Sequence, residues 1–243
     1  MKKAFAGITA IFIFLITEAQ FNYGYISHTA QLTSVDKGLL SVSDRALMPV
    51  DFKYIYSNIK GSAFFSPDWL YAIGYSQKNV RYTGFKAQFD LYKNSFYLNL
   101  NDTIYNASPV LTRFELFPAP SDSTKKFIFS NQFSVPEVPA GKYVQVLNEG
   151  KLTFLKYTTK DIQEVQTGVY TDKEQTFNEK VFYYGLSPAG QSISITKLNK
   201  KNMQKILGDK WAAVEKFVDA DSNLSYLKEE DWQKIIQYYN SIQ

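Results

Sequence analysis

The fold is decided by residues 85–100, which read Phe85-Lys86-Ala87-Gln88-Phe89-Asp90-Leu91-Tyr92-Lys93-Asn94-Ser95-Phe96-Tyr97-Leu98-Asn99-Leu100. Apolar and polar side chains alternate from Phe85 to Leu91, and the alternation resumes at Phe96 after the turn-forming pair Lys93-Asn94. A period of two is that of a strand whose two faces meet different surroundings. The stretch therefore predicts an antiparallel hairpin with one aliphatic face and one polar and aromatic face.

Strand-like segments continue on both sides of this hairpin, and turn signals separate them. Asn148-Glu149-Gly150 is a short turn of the kind that joins two antiparallel strands. Segments 118–123 and 135–141 each contain two prolines and are predicted loops. We predict further strands at 70–75, 80–85, 110–117, 126–130, 143–147, 152–157, 181–186 and 192–196.

From residue 197 the spacing of apolar residues changes to that of an α-helix. Asn199 predicts the start of a first helix, because its side chain can accept a hydrogen bond from the first turn, and Gly208 predicts its end. Two further helices each place four apolar residues on one face: Trp211, Val214, Phe217 and Val218 in one, Trp232, Ile235, Ile236 and Tyr239 in the other. Acidic residues at 229–231 open the last helix, where its dipole favours negative charge.

Strands first and helices last are typical of an α+β fold rather than of alternating β-α-β units. We predict a mainly antiparallel β-sheet, arranged as a sandwich or an open barrel, followed by a C-terminal group of about three α-helices. We divide the chain into a signal peptide at 1–19, a poorly patterned segment at 20–60, a β-rich region at 61–196 and a helical region at 197–243. The helical region is expected to pack on the β-rich region within one domain.

The N-terminus has the features of a cleavable bacterial secretory signal peptide. Two lysines precede an almost entirely apolar run at 4–16, which has the length of a signal-peptide core, about 7 to 15 residues. It is too short to span a bilayer, which needs about 20 apolar residues. Small side chains before Gln20 predict cleavage there, and a second possible site follows Ala30; the alternative interpretation of the run is a buried N-terminal helix. We expect an exported protein, periplasmic or secreted, with no transmembrane segment after cleavage.

The residue inventory argues against several kinds of site. Without cysteine the chain can form no disulfide, thiolate nucleophile or lipoprotein anchor, so we do not expect a lipoprotein. The single histidine, His28, lies in the poorly patterned segment, which argues against a Ser-His-Asp triad or a histidine-rich zinc site. The net charge of +4 is spread along the chain, so we expect no nucleic-acid binding.

Several short motifs occur in the order in which they are found in a known group of proteins. They are Gly61-Ser62-Ala63-Phe64-Phe65, then Tyr82-Thr83-Gly84-Phe85 leading to Phe89-Asp90-Leu91-Tyr92, then Gly150-Lys151-Leu152-Thr153-Phe154-Leu155-Lys156, Phe182-Tyr183-Tyr184 and Ile235-Ile236-Gln237-Tyr238-Tyr239-Asn240. With these motifs the chain resembles a group of uncharacterised exported proteins of Gram-negative bacteria over residues 61–240. Phe89-Asp90 stands where a Tyr-Asn pair is expected in that group. The group has no assigned activity, so the resemblance implies no catalytic residue.

Residues 219–230 have the spacing of a twelve-residue calcium loop between two amphipathic helices. The oxygen ligands would come from positions 1, 3, 5, 7 and 12 of that loop: Asp219, Asp221, Asn223, Ser225 and Glu230. Leu224 stands at position 6, where a calcium loop needs a glycine for its sharp turn, and Lys228 adds a positive charge. The alternative is a polar turn between two helices. Calcium is the one cofactor that the sequence suggests.

Aromatic residues make up 16% of the chain, and several fall on neighbouring predicted strands. Many carbohydrate-binding modules stack the faces of sugars on aromatic side chains that a sheet exposes, because such rings offer a large amphipathic surface. Trp69, Tyr71, Tyr75 and Tyr82 are the candidate ligand-binding residues on this basis. The alternative is that these rings fill an ordinary core.

No catalytic constellation is recognisable in the sequence. Two Ser-x-x-Lys patterns, at 57–60 and 123–126, lack the partner Lys-Thr-Gly strand of serine acyl-transfer enzymes. No spacing pairs the acids of the strand region, which are Asp68, Asp90, Asp102 and Glu115. We therefore expect a non-enzymatic cell-envelope or secreted binding protein whose partner is a protein or a glycan of the envelope. The alternative is a carboxylate-based or calcium-dependent enzyme that acts on an envelope or extracellular polymer.

Overall fold

The computed structural model describes residues 48–51, 55–100, 102–119, 125–166, 173–187 and 189–242. Strands account for 44% of this part of the chain, and a helical region follows them near the C-terminus. The prediction of a β-rich chain with C-terminal helices is therefore confirmed at that level. The predicted signal peptide, His28 and most of segment 20–60 lie outside the described residues.

The described strands belong to a mixed 12-stranded sheet. In chain order they are β1 Met48–Pro49, β2 Ile59–Lys60, β3 Leu70–Ser76, β4 Arg81–Asp90, β5 Ser95–Leu100, β6 Thr103–Asn106, β7 Leu111–Phe117, β8 Phe127–Ser130, β9 Val144–Asn148, β10 Thr153–Gln166, β11 Lys173–Leu186 and β12 Ser192–Ile195. Their spatial order is β1-β6-β5-β4-β3-β7-β8-β9-β10-β11-β12. Neighbours in this order are antiparallel, and β2 pairs with β11 in parallel outside it.

The hairpin predicted from residue 85 is formed by β4 and β5, with Ala87 opposite Leu98. Both of these residues are 0% exposed, so the predicted apolar face is buried. The connecting turn contains Asn94, whose φ of 54° is one that asparagine tolerates better than most residues. Its side chain exchanges two hydrogen bonds with the backbone of Tyr143, which ties this turn to the start of β9.

The polar face of the hairpin is partly covered, contrary to the alternation from which it was predicted. Gln88 and Asp90 are 5% and 0% exposed. The chain that precedes β3 lies over them: Gln88 donates to the carbonyl of Pro67, and Asp90 accepts a hydrogen bond of 2.6 Å from the Tyr56 hydroxyl. Because buried polar groups are costly unless they are hydrogen-bonded, these contacts make the burial possible.

Aromatic contacts show that the N-terminal part of the sheet is strongly curved. The rings of Phe89 on β4 and Phe129 on β8 have centroids 4.8 Å apart, although β3 and β7 lie between their strands. In a flat sheet, with about 4.8 Å between neighbouring strands, β4 and β8 would be roughly 14 Å apart. Phe114 stacks on both Phe96 and Phe129, with centroid distances of 3.9 and 4.9 Å. The concave side of the sheet therefore holds a continuous aromatic core, and its other side is convex.

The helical region contains α1 Lys200–Leu207, α2 Trp211–Asp219 and α3 Glu229–Ser241. Asn199 caps α1 as predicted, since its side chain accepts a hydrogen bond of 2.9 Å from the backbone of Asn202. Gly208 ends α1, also as predicted, with a φ of 53°. A single 3₁₀ turn at Gly208–Lys210 joins α1 directly to α2. The described region thus forms two helical stretches, 200–219 and 229–241, rather than about three separate helices.

The helices cover one face of the C-terminal strands and form a second core there. Trp232, Ile235 and Ile236 of α3 are 0% exposed, as their spacing predicted. Trp232 lies against Phe154 of β10, with ring centroids 5.6 Å apart. None of the described helices has the length and apolar character that crossing a membrane requires.

Candidate functional site

Strand β3 carries two of the four predicted ligand-binding residues on one face. Buried and partly exposed residues alternate along it, and Tyr71, Ile73 and Tyr75 are among those partly exposed. Because successive side chains of a strand point to opposite faces, both tyrosines lie on the convex side, away from the aromatic core. Trp69 directly precedes β3 and is also partly exposed.

Tyr82 lies on the opposite side of the sheet from the β3 tyrosines. It is 5% exposed and belongs to the concave aromatic core. A bulge in β4 is the cause: Gly74 of β3 pairs with Tyr82 instead of Thr83, because β4 contains one extra residue at this point. Gly84 in the bulge has a φ of 89°, which glycine adopts without strain. Tyr82 therefore lies away from the convex side and is not brought together with Tyr71 and Tyr75.

The strand register places a cation and a second ring beside Tyr71. Tyr71 is paired with Lys86 on β4 and with Phe117 on β7. Side chains at directly paired positions are neighbours, with Cβ atoms about 4.5–5.5 Å apart. The Lys86 ammonium lies 5.1 Å from the centroid of the Tyr71 ring, within the range of about 6 Å at which a cation is attracted to an aromatic face.

A second row of the same kind crosses the sheet at Tyr75, which is paired with Arg81 on β4 and with Arg113 on β7. The two rows lie on the same side of the sheet, since Tyr71 and Tyr75 do. We call these six residues the convex surface: Tyr71, Tyr75, Arg81, Lys86, Arg113 and Phe117. Its combination of partly exposed rings and cations can stack an apolar ligand face and attract a negative charge at the same time.

Charges on the β7 side of the convex surface are compensated by acids. Arg113 donates to both carboxylate oxygens of Glu149, at 2.6 and 3.4 Å. Burial acts to lower the pKa of Arg113, but the hydrogen bond and charge of Glu149 outweigh it and raise the pKa above its usual value. Glu115, whose side chain is 10% exposed, lies 3.6 Å from Lys126 and 3.9 Å from Arg113. These two acids and two bases form a connected network.

Charges on the β4 side of the convex surface are not compensated in this way. Arg81 and Lys86 are both exposed. Neither forms an ion pair with any residue in the described ranges. This side of the surface is therefore the more positive one.

The candidate calcium ligands run from Asp219, the last residue of α2, to Glu230 in the first turn of α3. Those between the two helices form a turn with its own hydrogen bonds. Asp221 accepts bonds from the backbone and the side-chain amide of Asn223, at 2.9 and 3.1 Å. Asp231, rather than Glu230, accepts a bond from the backbone of Ser225 at 3.1 Å. Asp219 and Glu230 are exposed. In the described part of the chain no three His, Cys, Asp or Glu side chains are grouped so that they could hold a metal ion.

Two of the four acids that the sequence offered for carboxylate catalysis, Asp90 and Glu115, have separate partners. Asp90 accepts bonds of 2.9 Å from the backbone amides of Tyr92 and Lys93 in addition to its bond from Tyr56. Burial raises the pKa of Tyr56, and the hydrogen bond to Asp90 raises it further. Glu115 belongs to the ion-pair network on β7. Asp90 therefore fixes the β4–β5 turn and its covering segment.

Two open grooves lie away from the convex surface. One, of about 390 Å³, lies between α2 and α3 and is lined by residues that include Phe217 and Tyr238, which stack on each other at 4.0 Å. The other, also about 390 Å³, lies at the far end of the β10–β11 hairpin and contains Glu164 and Glu174. Each of these glutamates pairs with a lysine of the same groove. This second groove has the character of a solvated ion-pair surface.

The sequence interpretation missed the cations of the convex surface. Lys86 was assigned only to the polar face of the hairpin, and Arg81, Arg113 and Phe117 were not singled out. The available signal was the position of Lys86 in the alternating pattern, but its neighbour across the strands depends on the register with β3.

Comparisons of the chain with protein-family models, with curated proteins and with solved structures found no match.

Proposed function

We propose that this chain is an exported, non-enzymatic binding protein of the cell envelope or the surrounding medium, and that it holds a glycan on the convex surface. The observation that carries the proposal is the pair Tyr71 and Tyr75, partly exposed on one face of β3 and extended by Phe117 on β7. Rings presented in this way offer amphipathic area for the face of a sugar. The N-terminal run of two lysines and apolar residues supports export.

The architecture suits a surface of this kind. We class the curved N-terminal part of the sheet as an open barrel rather than a sandwich, since its concave side packs on itself through Phe89 and Phe129. The convex side of β4, β3 and β7 is thereby left to face outward. A rigid sheet holds the rings at fixed spacing, which lowers the entropy lost when a polymer binds.

The test is affinity electrophoresis of the mature protein through gels that contain envelope or extracellular polysaccharides. We expect a suitable polysaccharide to retard the wild-type protein, and the double variant Tyr71→Ala/Tyr75→Ala to lose about tenfold or more in affinity, since each ring contributes about 0.5–1.5 kcal/mol beyond its buried area. The matched control is Tyr92→Ala/Tyr239→Ala, which removes one exposed and one partly exposed ring elsewhere. Equal retention of both double variants, or no retention of the wild type by any polysaccharide, would contradict the proposal.

A further inference from the structure

We infer that the glycan held by the convex surface is acidic, a polymer of sugars that carry carboxylates; this rests on the proposed function. The convex surface combines rings with cations in both of its rows. Lys86 lies over the ring of Tyr71 at 5.1 Å, and Arg81 is paired with Tyr75 across the strands. A ligand that stacks on either ring is therefore brought next to a positive charge.

Arg81 and Lys86 on β4 are the cations of the convex surface that no described acid neutralises. On the β7 side, Arg113 donates two hydrogen bonds to the carboxylate of Glu149, and Lys126 lies beside the carboxylate of Glu115. On the β4 side, Arg81 and Lys86 are exposed and form no ion pair with a described residue. A neutral glycan would leave this excess positive charge unmatched, whereas an acidic one complements it.

The spacing of the cations indicates a polymer with repeated charges rather than a single small anion. Arg81 and Lys86 lie on the same strand, five positions apart in sequence, and a strand rises about 3.3 Å per residue. Their backbone positions are thus separated by roughly 13–17 Å, depending on how far the bulge shortens the strand. Lys86 extends across the strands to the Tyr71 ring rather than along β4 toward Arg81. Successive units of a chain therefore suit the two cations better than one compact anion does.

Carboxylates fit this arrangement better than phosphates do. A phosphate monoester carries close to two charges and three acceptor oxygens, and is usually held by several donors that converge on it. Here each ring has one uncompensated cation beside it. A sugar acid presents its carboxylate on the same ring whose face can stack, so that one unit can contact one tyrosine and one cation together.

The experiment compares carboxylated polymers with their uncharged counterparts. Full-length mature protein is run through gels of polygalacturonate, alginate and hyaluronan, each beside the methyl-esterified form of the same polymer. We expect retention by at least one acidic polymer, weaker retention by its ester, and weakening with added salt. The variant Arg81→Gln/Lys86→Gln should bind the acidic polymer about 3- to 30-fold more weakly.

The matched control is Lys201→Gln/Lys205→Gln, which removes the same charge from two exposed positions of α1 and should leave binding unchanged. Equal weakening of both double variants would show attraction to net charge alone and would overturn the inference. Retention by the esters but not by the acids would overturn the acidic ligand and leave the proposed function standing. Failure of every polysaccharide, charged or neutral, to retain the wild type would overturn both.

Discussion

Replacing Tyr82 by alanine should destabilise the protein far more than the same replacement of Tyr71, because the bulge in β4 puts the two rings on opposite sides of the sheet. Tyr82 is 5% exposed and packs in the concave core, whereas Tyr71 is partly exposed on the convex surface. Both are tyrosines on adjacent strands, so the chemical change is identical. Only the face differs.

The expected magnitudes follow from burial. A buried aromatic side chain removes roughly 150–250 Å² from water, which at about 25 cal/mol per Å² corresponds to roughly 4–6 kcal/mol. Alanine retains part of this, so Tyr82→Ala should lower the free energy of unfolding by about 3–5 kcal/mol. Tyr71→Ala should cost about 1 kcal/mol or less, because the Tyr71 ring is partly exposed and lies outside the concave core. A chain of this size loses about 2–4 °C in melting temperature per kcal/mol. The melting temperature should therefore fall by roughly 6–20 °C for Tyr82→Ala and by at most about 4 °C for Tyr71→Ala.

The assay is thermal unfolding of both variants and the wild type by circular dichroism, with urea unfolding as an independent measure of stability. A loss of polysaccharide retention should not follow the loss of stability. Tyr71→Ala is expected to weaken retention while it leaves the fold intact. Equal losses of stability, or a larger loss for Tyr71→Ala, would refute the assignment of the two rings to opposite faces.

Four further outcomes are expected. Asn240→Ala removes two hydrogen bonds, of 2.9 and 3.0 Å, to the backbone of Leu152, and urea unfolding should show a loss of about 2 kcal/mol; unchanged stability would mean that α3 is not held to the β9–β10 turn in this way. Burial and the charge of a nearby aspartate raise the pKa of Tyr97 to about 12, whereas an unfolded tyrosine titrates near 10. The unfolded state therefore loses this proton first as the pH rises, and the free energy of unfolding should decrease between pH about 10 and 12; urea titrations that give constant stability over that range would contradict this. Added calcium should leave the melting temperature unchanged, because Leu224 lacks the positive φ of a calcium loop and packs against the helical core; a calcium-dependent rise would restore the calcium hypothesis. N-terminal sequencing of the protein exported by a bacterial host should begin at Gln20, and an uncleaved N-terminus would show that the signal-peptide prediction is wrong.

Features that depend on residues close in sequence could be predicted from the chain alone. The alternation in 85–100 is a property of one hairpin, and the strands pair as it indicates. Asn199 and Gly208 act on the helix turn next to them, so the ends of α1 could be placed from the sequence. In the apolar stripe of α3, Trp232, Ile235 and Ile236 are buried as expected from their helical spacing, and Tyr239 is partly exposed.

The face of Tyr82 could not be predicted, because a bulge in β4 breaks the period of two that would otherwise assign side chains to the faces of the strand. Tyr82 and Phe85 both enter the concave core, although strict alternation places residues three apart on opposite faces. The extra residue of the bulge shifts the alternation by one position, so that both side chains point to the concave side. Gly84 allows the bulge because it adopts a positive φ. A glycine within a strand pattern is a hint of a bulge, but it does not show which neighbour changes sides.

The cations of the convex surface were hidden for a different reason. Arg113 and Tyr75 become neighbours only because β7 lies beside β3 in the sheet, an order that no local pattern determines. The burial of Asp90 likewise depends on a distant residue, Tyr56, which the sequence assigned to a poorly patterned segment. The site therefore depends on the order of the strands in the sheet and on contacts between residues distant in sequence, which no local pattern predicts.

The most direct test of the convex surface as the binding site is hydroxyl-radical footprinting, read by mass spectrometry, with and without the polysaccharide that retains the protein. Oxidation of Tyr71, Tyr75 and Phe117 should fall when the polymer is bound. Oxidation of Tyr92, which is 39% exposed beyond the convex surface, should not change. Protection of Tyr92 with unchanged oxidation of Tyr71 and Tyr75 would contradict the account.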